Sequence, residues 1–174
     1  MLFRVRFKRS SSALSAVALL AVLALAGCGS SAPTKSQYLA KANAICASTS
    51  TQTAPLIHQV TAAAAGLAPG AGAAREVATL AGAMQRLHAV ATSSLTKLQK
   101  LEQPSGAHAA IERFLKPFAA VVSAIEQAAG ALQKGQPQQA LGMLEQVRPT
   151  SVQASSGAQA YGLTQCTTVL AALG

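Results

Sequence analysis

From about residue 35 onward, apolar residues return every three or four positions and almost nowhere every second one. That is the period of helices turned toward a core, not of strands. The clearest stripe spans about 73–101, where Val77, Leu80, Met84, Leu87, Ala91, Leu95, Leu98 and Leu101 fall on one face. A first helix is expected over about 35–65, with Leu39, Ala42, Cys46, Leu56, Val60 and Ala64 inward. Thr34-Lys35-Ser36-Gln37 has the form of a capping box at its start, and Pro55 should kink or divide it. A third helix, about 107–133, turns Ile111, Phe114, Leu115, Phe118, Val122, Ile125 and Leu132 inward and should bend at Pro117.

The fourth helix begins near Pro137, with Leu141, Leu144 and Val147 inward. Arg148-Pro149 is expected to interrupt it, because a proline disfavours the helical conformation of the residue before it. Thr150-Ser151-Val152-Gln153 again has capping-box form, so a fresh helix is expected from there to about Tyr161, capped by Gly162. A last short helix, about 164–172, carries Cys166, Val169 and Leu170. Four long segments of matched length, joined by short Gly- and Pro-containing turns, predict an all-α fold. It is an antiparallel up-down-up-down four-helix bundle with kinked helices and a short C-terminal helix, filling residues 35–174.

The start of the chain follows another pattern. Arg4, Arg6, Lys8 and Arg9 precede Ala13–Ala26, a run of 14 residues whose one polar side chain is Ser15. As a helix that run spans about 21 Å, short of the roughly 30 Å hydrocarbon core, which suits an export signal better than a membrane span. Leu25-Ala26-Gly27-Cys28 closes it and resembles the lipobox of bacterial lipoproteins at all four positions. The resemblance implies a signal peptide over 1–27, removed before Cys28. It also implies thioether-linked diacylglycerol and palmitate-type acylation at Cys28, with 28–34 as a lipidated tether. Multiple acyl chains hold a protein durably on a membrane, where one chain is marginal. The expected address is the cell membrane, lipid-anchored, on the extracytoplasmic face.

Charge changes the picture once the signal is set aside. The chain carries +9, but the ten Lys/Arg and five Glu after residue 27 leave only +5. These cations are scattered, and Tyr38, Phe114, Phe118 and Tyr161 are the only rings beyond the signal. Nucleic-acid binding, which needs basic clusters interleaved with stacking rings, is not expected.

With Cys28 assigned to lipid, Cys46 and Cys166 remain. In an oxidising compartment two leftover thiols pair, and an antiparallel bundle brings the end of the chain beside the first helix. One disulfide, Cys46–Cys166, is therefore expected to staple the fold. The early Ile45-Cys46 and the late Gly162-Leu163-Thr164-Gln165-Cys166 resemble a pattern in small uncharacterised helical envelope lipoproteins of actinobacteria. That resemblance implies the same disulfide and fold class and no activity.

Little else carries chemistry. His58, His88 and His108 share no metal-binding spacing, and no Asp exists for a Ser-His-Asp triad. No cofactor, metal site or enzymatic activity is expected. Met84, Phe114, Phe118 and Met143 are candidates to line an apolar pocket between helices. The expected role is a membrane-anchored envelope lipoprotein that acts as a non-enzymatic interaction or structural module, docking an envelope protein or wall polymer. The alternative is a carrier that binds a lipid or other apolar ligand between its helices.

Overall fold

The structure is a computed structural model and describes residues 32–67 and 73–173. Cys28 and the expected signal peptide over 1–27 lie outside these residues. Five helices follow in order: α1 (Lys35–Ala65), α2 (Ala73–Gln99), α3 (His108–Gln133), α4 (Pro137–Tyr161) and α5 (Thr164–Leu173). Among the described residues there is no strand, and no helix is long and apolar enough to cross a membrane.

The start of α1 is set by the expected capping box. Thr34 Oγ1 accepts from the Gln37 backbone N–H at 3.2 Å, and Gln37 Oε1 accepts from the Thr34 N–H at 2.9 Å. Two donors that a helix N-terminus leaves over are thereby satisfied. Later in the chain, Gly162 closes α4 with φ 100°, a left-handed conformation that costs a residue with a Cβ but not glycine.

The prolines do not divide the helices. α1 runs through Pro55 as one helix. α4 runs unbroken through Arg148-Pro149, so the expected interruption, and the fresh capping box at Thr150, are corrected. The reason lies in which face each proline occupies. A helical proline leaves the carbonyl four residues earlier without its partner. For Pro55 that residue is Thr51 and for Pro149 it is Glu145, and all four positions are exposed, so water can serve the carbonyls. Meanwhile Val147, Ser151, Ala154 and Ala158 bury one continuous stripe of α4 and hold both halves in a single helix.

Pro117 is used differently. It frees the carbonyl of Arg113, and Gly157 of α4 packs directly against that carbonyl. A Cβ built at Gly157 would stand 2.5 Å from Arg113 O and 2.7 Å from its carbon. Only hydrogen fits there, which lets α3 and α4 approach closely and places a Cα–H where the orphaned oxygen can accept it.

α1 packs on α2, α2 on α3 and α3 on α4, and α5 packs on both α1 and α4. The fourth side of the bundle is thus closed at the α1 N-terminal end by α5, folded back between the first and last long helices. The core has two parts. One, at the α1 N-terminal end, gathers Tyr38, Cys46, Leu98, Phe114, Phe118, Leu163 and Leu170. The other, toward the α1 C-terminal end, gathers Leu80, Met84, Leu87, Val121, Ile125 and Leu132. Cys46 and Cys166 are bonded at 2.02 Å, with Cα atoms 4.9 Å apart, across 120 residues of sequence.

Asn43 steers α5 into this position. Its Nδ2 donates to the Gly162 carbonyl at 3.4 Å, and its Oδ1 accepts from the Gln165 N–H at 3.0 Å. One side chain therefore meets the end of α4 and the first turn of α5. Cys46 lies three residues beyond Asn43 and Cys166 one beyond Gln165, so the clamp and the bridge work within one helical turn. Asn43→Ala is expected to destabilise by about 1–2 kcal/mol, a cap-sized loss, measured by denaturant unfolding with the bridge intact.

Candidate functional site

The bundle separates the residues expected to form an apolar pocket. Phe114 and Phe118 stack at 5.6 Å in the core part that holds the disulfide. Met84 is buried in the other part, and Met143 is half-buried against it. The four do not line one common space. Beside the bridge, the gap among Cys46, Thr49, Ser94, Phe114, Phe118 and Cys166 has no room for a water molecule.

Larger concavities lie on the surface between helices. A groove of about 650 Å³ where α2 meets the α3–α4 turn is lined mainly by small and apolar residues, including Val77, Ala81 and Leu132. Between α1 and α2 a groove of about 310 Å³ is lined by Ser48, Thr49, Gln52, Ser93, Ser94 and Lys97 over Ile45 and Val90. Thr49 and Ser94 are buried, and their hydroxyls hydrogen-bond across the helices at 2.8 Å. Thr49 Oγ1 also donates within its own helix to the Ile45 carbonyl at 2.9 Å. With Ser94 donating to Thr49 and Thr49 to Ile45, the pair is satisfied and fixes the register of α1 on α2. Gln52 reaches back to the carbonyl and hydroxyl of Ser48 at 3.2 and 3.1 Å.

Helical spacing alone does not point to this groove. Its signal was present: the inward stripe of α1 runs through Ala42 and Cys46 and resumes at Leu56, and the positions between, Thr49 and Thr53, are polar yet buried. A hydroxyl can hide in a helix by bonding the carbonyl four residues back, so an apolar stripe with threonine gaps still packs.

Near the start of α1, Tyr38 and Tyr161 meet edge to face at 5.9 Å, and the Lys35 ammonium stands 4.8 Å from the Tyr161 ring centroid. Both phenol oxygens are buried without a hydrogen-bond partner. Burial, reinforced by Tyr161, pushes the Tyr38 hydroxyl up to about 12 from 10.0, and burial also raises Tyr161. A group whose folded pKa lies above its unfolded value gives stability that is complete below pH 10 and lost as pH climbs toward 12. Tyr38→Phe is expected to hold or raise stability at neutral pH, since it removes an unpartnered hydroxyl. It should also flatten the decline above pH 10, read from melting temperature against pH.

The histidines stay apart in role. His88 Nε2 lies 3.0 Å from Thr92 Oγ1 and 3.9 Å from Glu126, and His108 Nδ1 lies 3.1 Å from Gln103 Oε1. Among the described residues no three His, Cys, Asp or Glu side chains are grouped to hold a metal ion. What the arrangement offers chemically is binding surface: one apolar groove, one hydroxyl-lined groove and a stapled base. Comparison with protein families, with curated proteins and with solved structures finds no match.

Proposed function

We propose that this protein is a lipid-anchored module on the extracytoplasmic face of a cell membrane, which acts by binding rather than by catalysis. The observation that carries the reading is the junction between anchor and fold. Helix α1 starts on its capping box at Thr34, six residues after the lipobox cysteine. A disulfide then ties α1 to the last helix. A bridge of that kind suits an oxidising, exported setting. A tether of six residues holds the fold within about 20 Å of the bilayer.

The test is fractionation of cells producing the full chain or its Cys28→Ser variant, with a high-salt wash. Wild-type protein is expected in the membrane fraction, released by detergent and not by salt. The variant is expected to leave the membrane in salt. A variant that resists salt as wild type does would refute the lipid anchor.

The second reading is a carrier of an apolar ligand, and the apolar groove at Val77, Ala81 and Leu132 favours it. Native mass spectrometry of protein from its own host distinguishes the two. An added mass that leaves on denaturation supports the carrier, and a bare chain supports the docking module.

A further inference from the structure

The outward face of α1 and α2 at the α1 N-terminal end combines cations and hydroxyls, and neither helix brings a carboxylate to that end. On α1, Lys41, Ser48 and Gln52 fall on one stripe, and Ser93 and Lys97 do the same on α2, with Lys100 in the turn just past its end. All six are exposed. Ser48, Gln52, Ser93 and Lys97 line the 310 Å³ groove, and Lys41 and Lys100 flank it toward the start of the fold. α1 contains no Asp or Glu at all, and α2 contains only Glu76, in its first turn at the opposite end. The nearest acid in sequence is Glu102, in the loop after α2. On α3, by contrast, Lys116 stands 4.0 Å from Glu112.

A concave surface offering ammonium, hydroxyl and amide donors, with no competing carboxylate on its two helices, suits a phosphate oxygen. The site is placed to meet one. Lys41 lies about 10 Å along α1 from its start, at about 1.5 Å per residue, and the tether before that start reaches back to Cys28. We propose that this α1–α2 face docks on anionic phospholipid headgroups, with a phosphate seated in the groove between Lys97 and the Ser48 and Ser93 hydroxyls. This turns the module onto its α1–α2 side against the bilayer. The proposal deepens the anchored reading and rests on it for the nearness of lipid, while the binding chemistry belongs to the folded domain.

The test uses mature protein with Cys28→Ser, which carries no acyl chain, sedimented with vesicles of phosphatidylglycerol mixed into phosphatidylcholine or of phosphatidylcholine alone. Binding to the anionic vesicles is expected. It should weaken as salt shortens the screening length from about 10 Å at 0.1 M to about 3 Å at 1 M. The triple variant Lys41→Gln, Lys97→Gln, Lys100→Gln is expected to lose at least about tenfold in partitioning, given the usual attraction per lysine. A charge-matched triple at the far end, Arg75→Gln, Arg86→Gln, Lys134→Gln, is expected to lose about threefold or less. Ser93→Leu, which fills the groove, is expected to weaken binding while circular dichroism and the bridge stay unchanged. No binding to anionic vesicles, or equal losses from the two triples, would overturn the proposal. Full binding by Ser93→Leu would overturn the groove as the phosphate seat. Because the vesicle assay uses unacylated protein, its failure leaves the Cys28 fractionation result standing, and the reverse also holds.

Discussion

Reduction of the Cys46–Cys166 bridge is expected to lower the melting temperature by about 10 °C or more. The bond closes a loop of 120 residues. In the chain-entropy argument such a loop restrains the unfolded chain by about 4–5 kcal/mol. Each kcal/mol corresponds to roughly 2–4 °C in a domain somewhat larger than this one. Both cysteines are buried, Cys46 at 3 % and Cys166 at 1 % exposure, so reductant should act slowly on the folded protein and fast once it opens. The double variant Cys46→Ala, Cys166→Ala should reproduce the equilibrium loss. It should also loosen α5 first, because the remaining holds on that helix are Asn43 and the packing of Leu163, Val169 and Leu170. Thermal unfolding of oxidised, reduced and double-variant protein measures this. A melting temperature unmoved by reduction would mean that α5 is held without the bridge.

The second large effect comes from one methyl group. Gly157→Ala should improve intrinsic helix propensity by up to about 1 kcal/mol. The new Cβ would nevertheless stand 2.5 Å from the Arg113 carbonyl oxygen, which is backbone and cannot swing aside. α3 and α4 must move apart along their contact, and overpacking of that kind costs about 1–3 kcal/mol, occasionally more. A net loss of about 2 kcal/mol is expected. Gly142→Ala, in the same helix, meets nothing within 4 Å and should gain up to about 1 kcal/mol. Opposite signs for two identical substitutions in one helix are the signature of the close α3–α4 approach. If both variants gained stability, that approach would be excluded.

These two sites mark what could be read in the sequence and what could not. The five helices were legible because their apolar stripes are long and helical in period, and the Thr34 cap because its partner Gln37 is local. The bridge was legible because few cysteines remain once Cys28 is set aside. Gly157 was not legible: nothing in its neighbourhood marks it off from Gly142, and its meaning depends on a carbonyl released by Pro117 on the preceding helix. Pro149 misled for a related reason, since local preference said stop while the buried stripe of Val147, Ser151 and Ala154 said continue, and burial won. Asn43 and the α1–α2 groove depend on side chains meeting across helices, which spacing along one helix does not reveal. The expected pocket failed to assemble because Phe114 and Phe118 share a helix face near the bridge while Met84 and Met143 belong to the other end of the core.

Lipid on Cys28 and the bridge of the folded domain are both read from one intact mass, that of the protein extracted from the membranes of its host. The account predicts a chain that begins at Cys28, heavier by a diacylglycerol and its acyl chains and lighter by two hydrogens for the bridge. A chain that retains residues 1–27, or an unmodified Cys28, would contradict it.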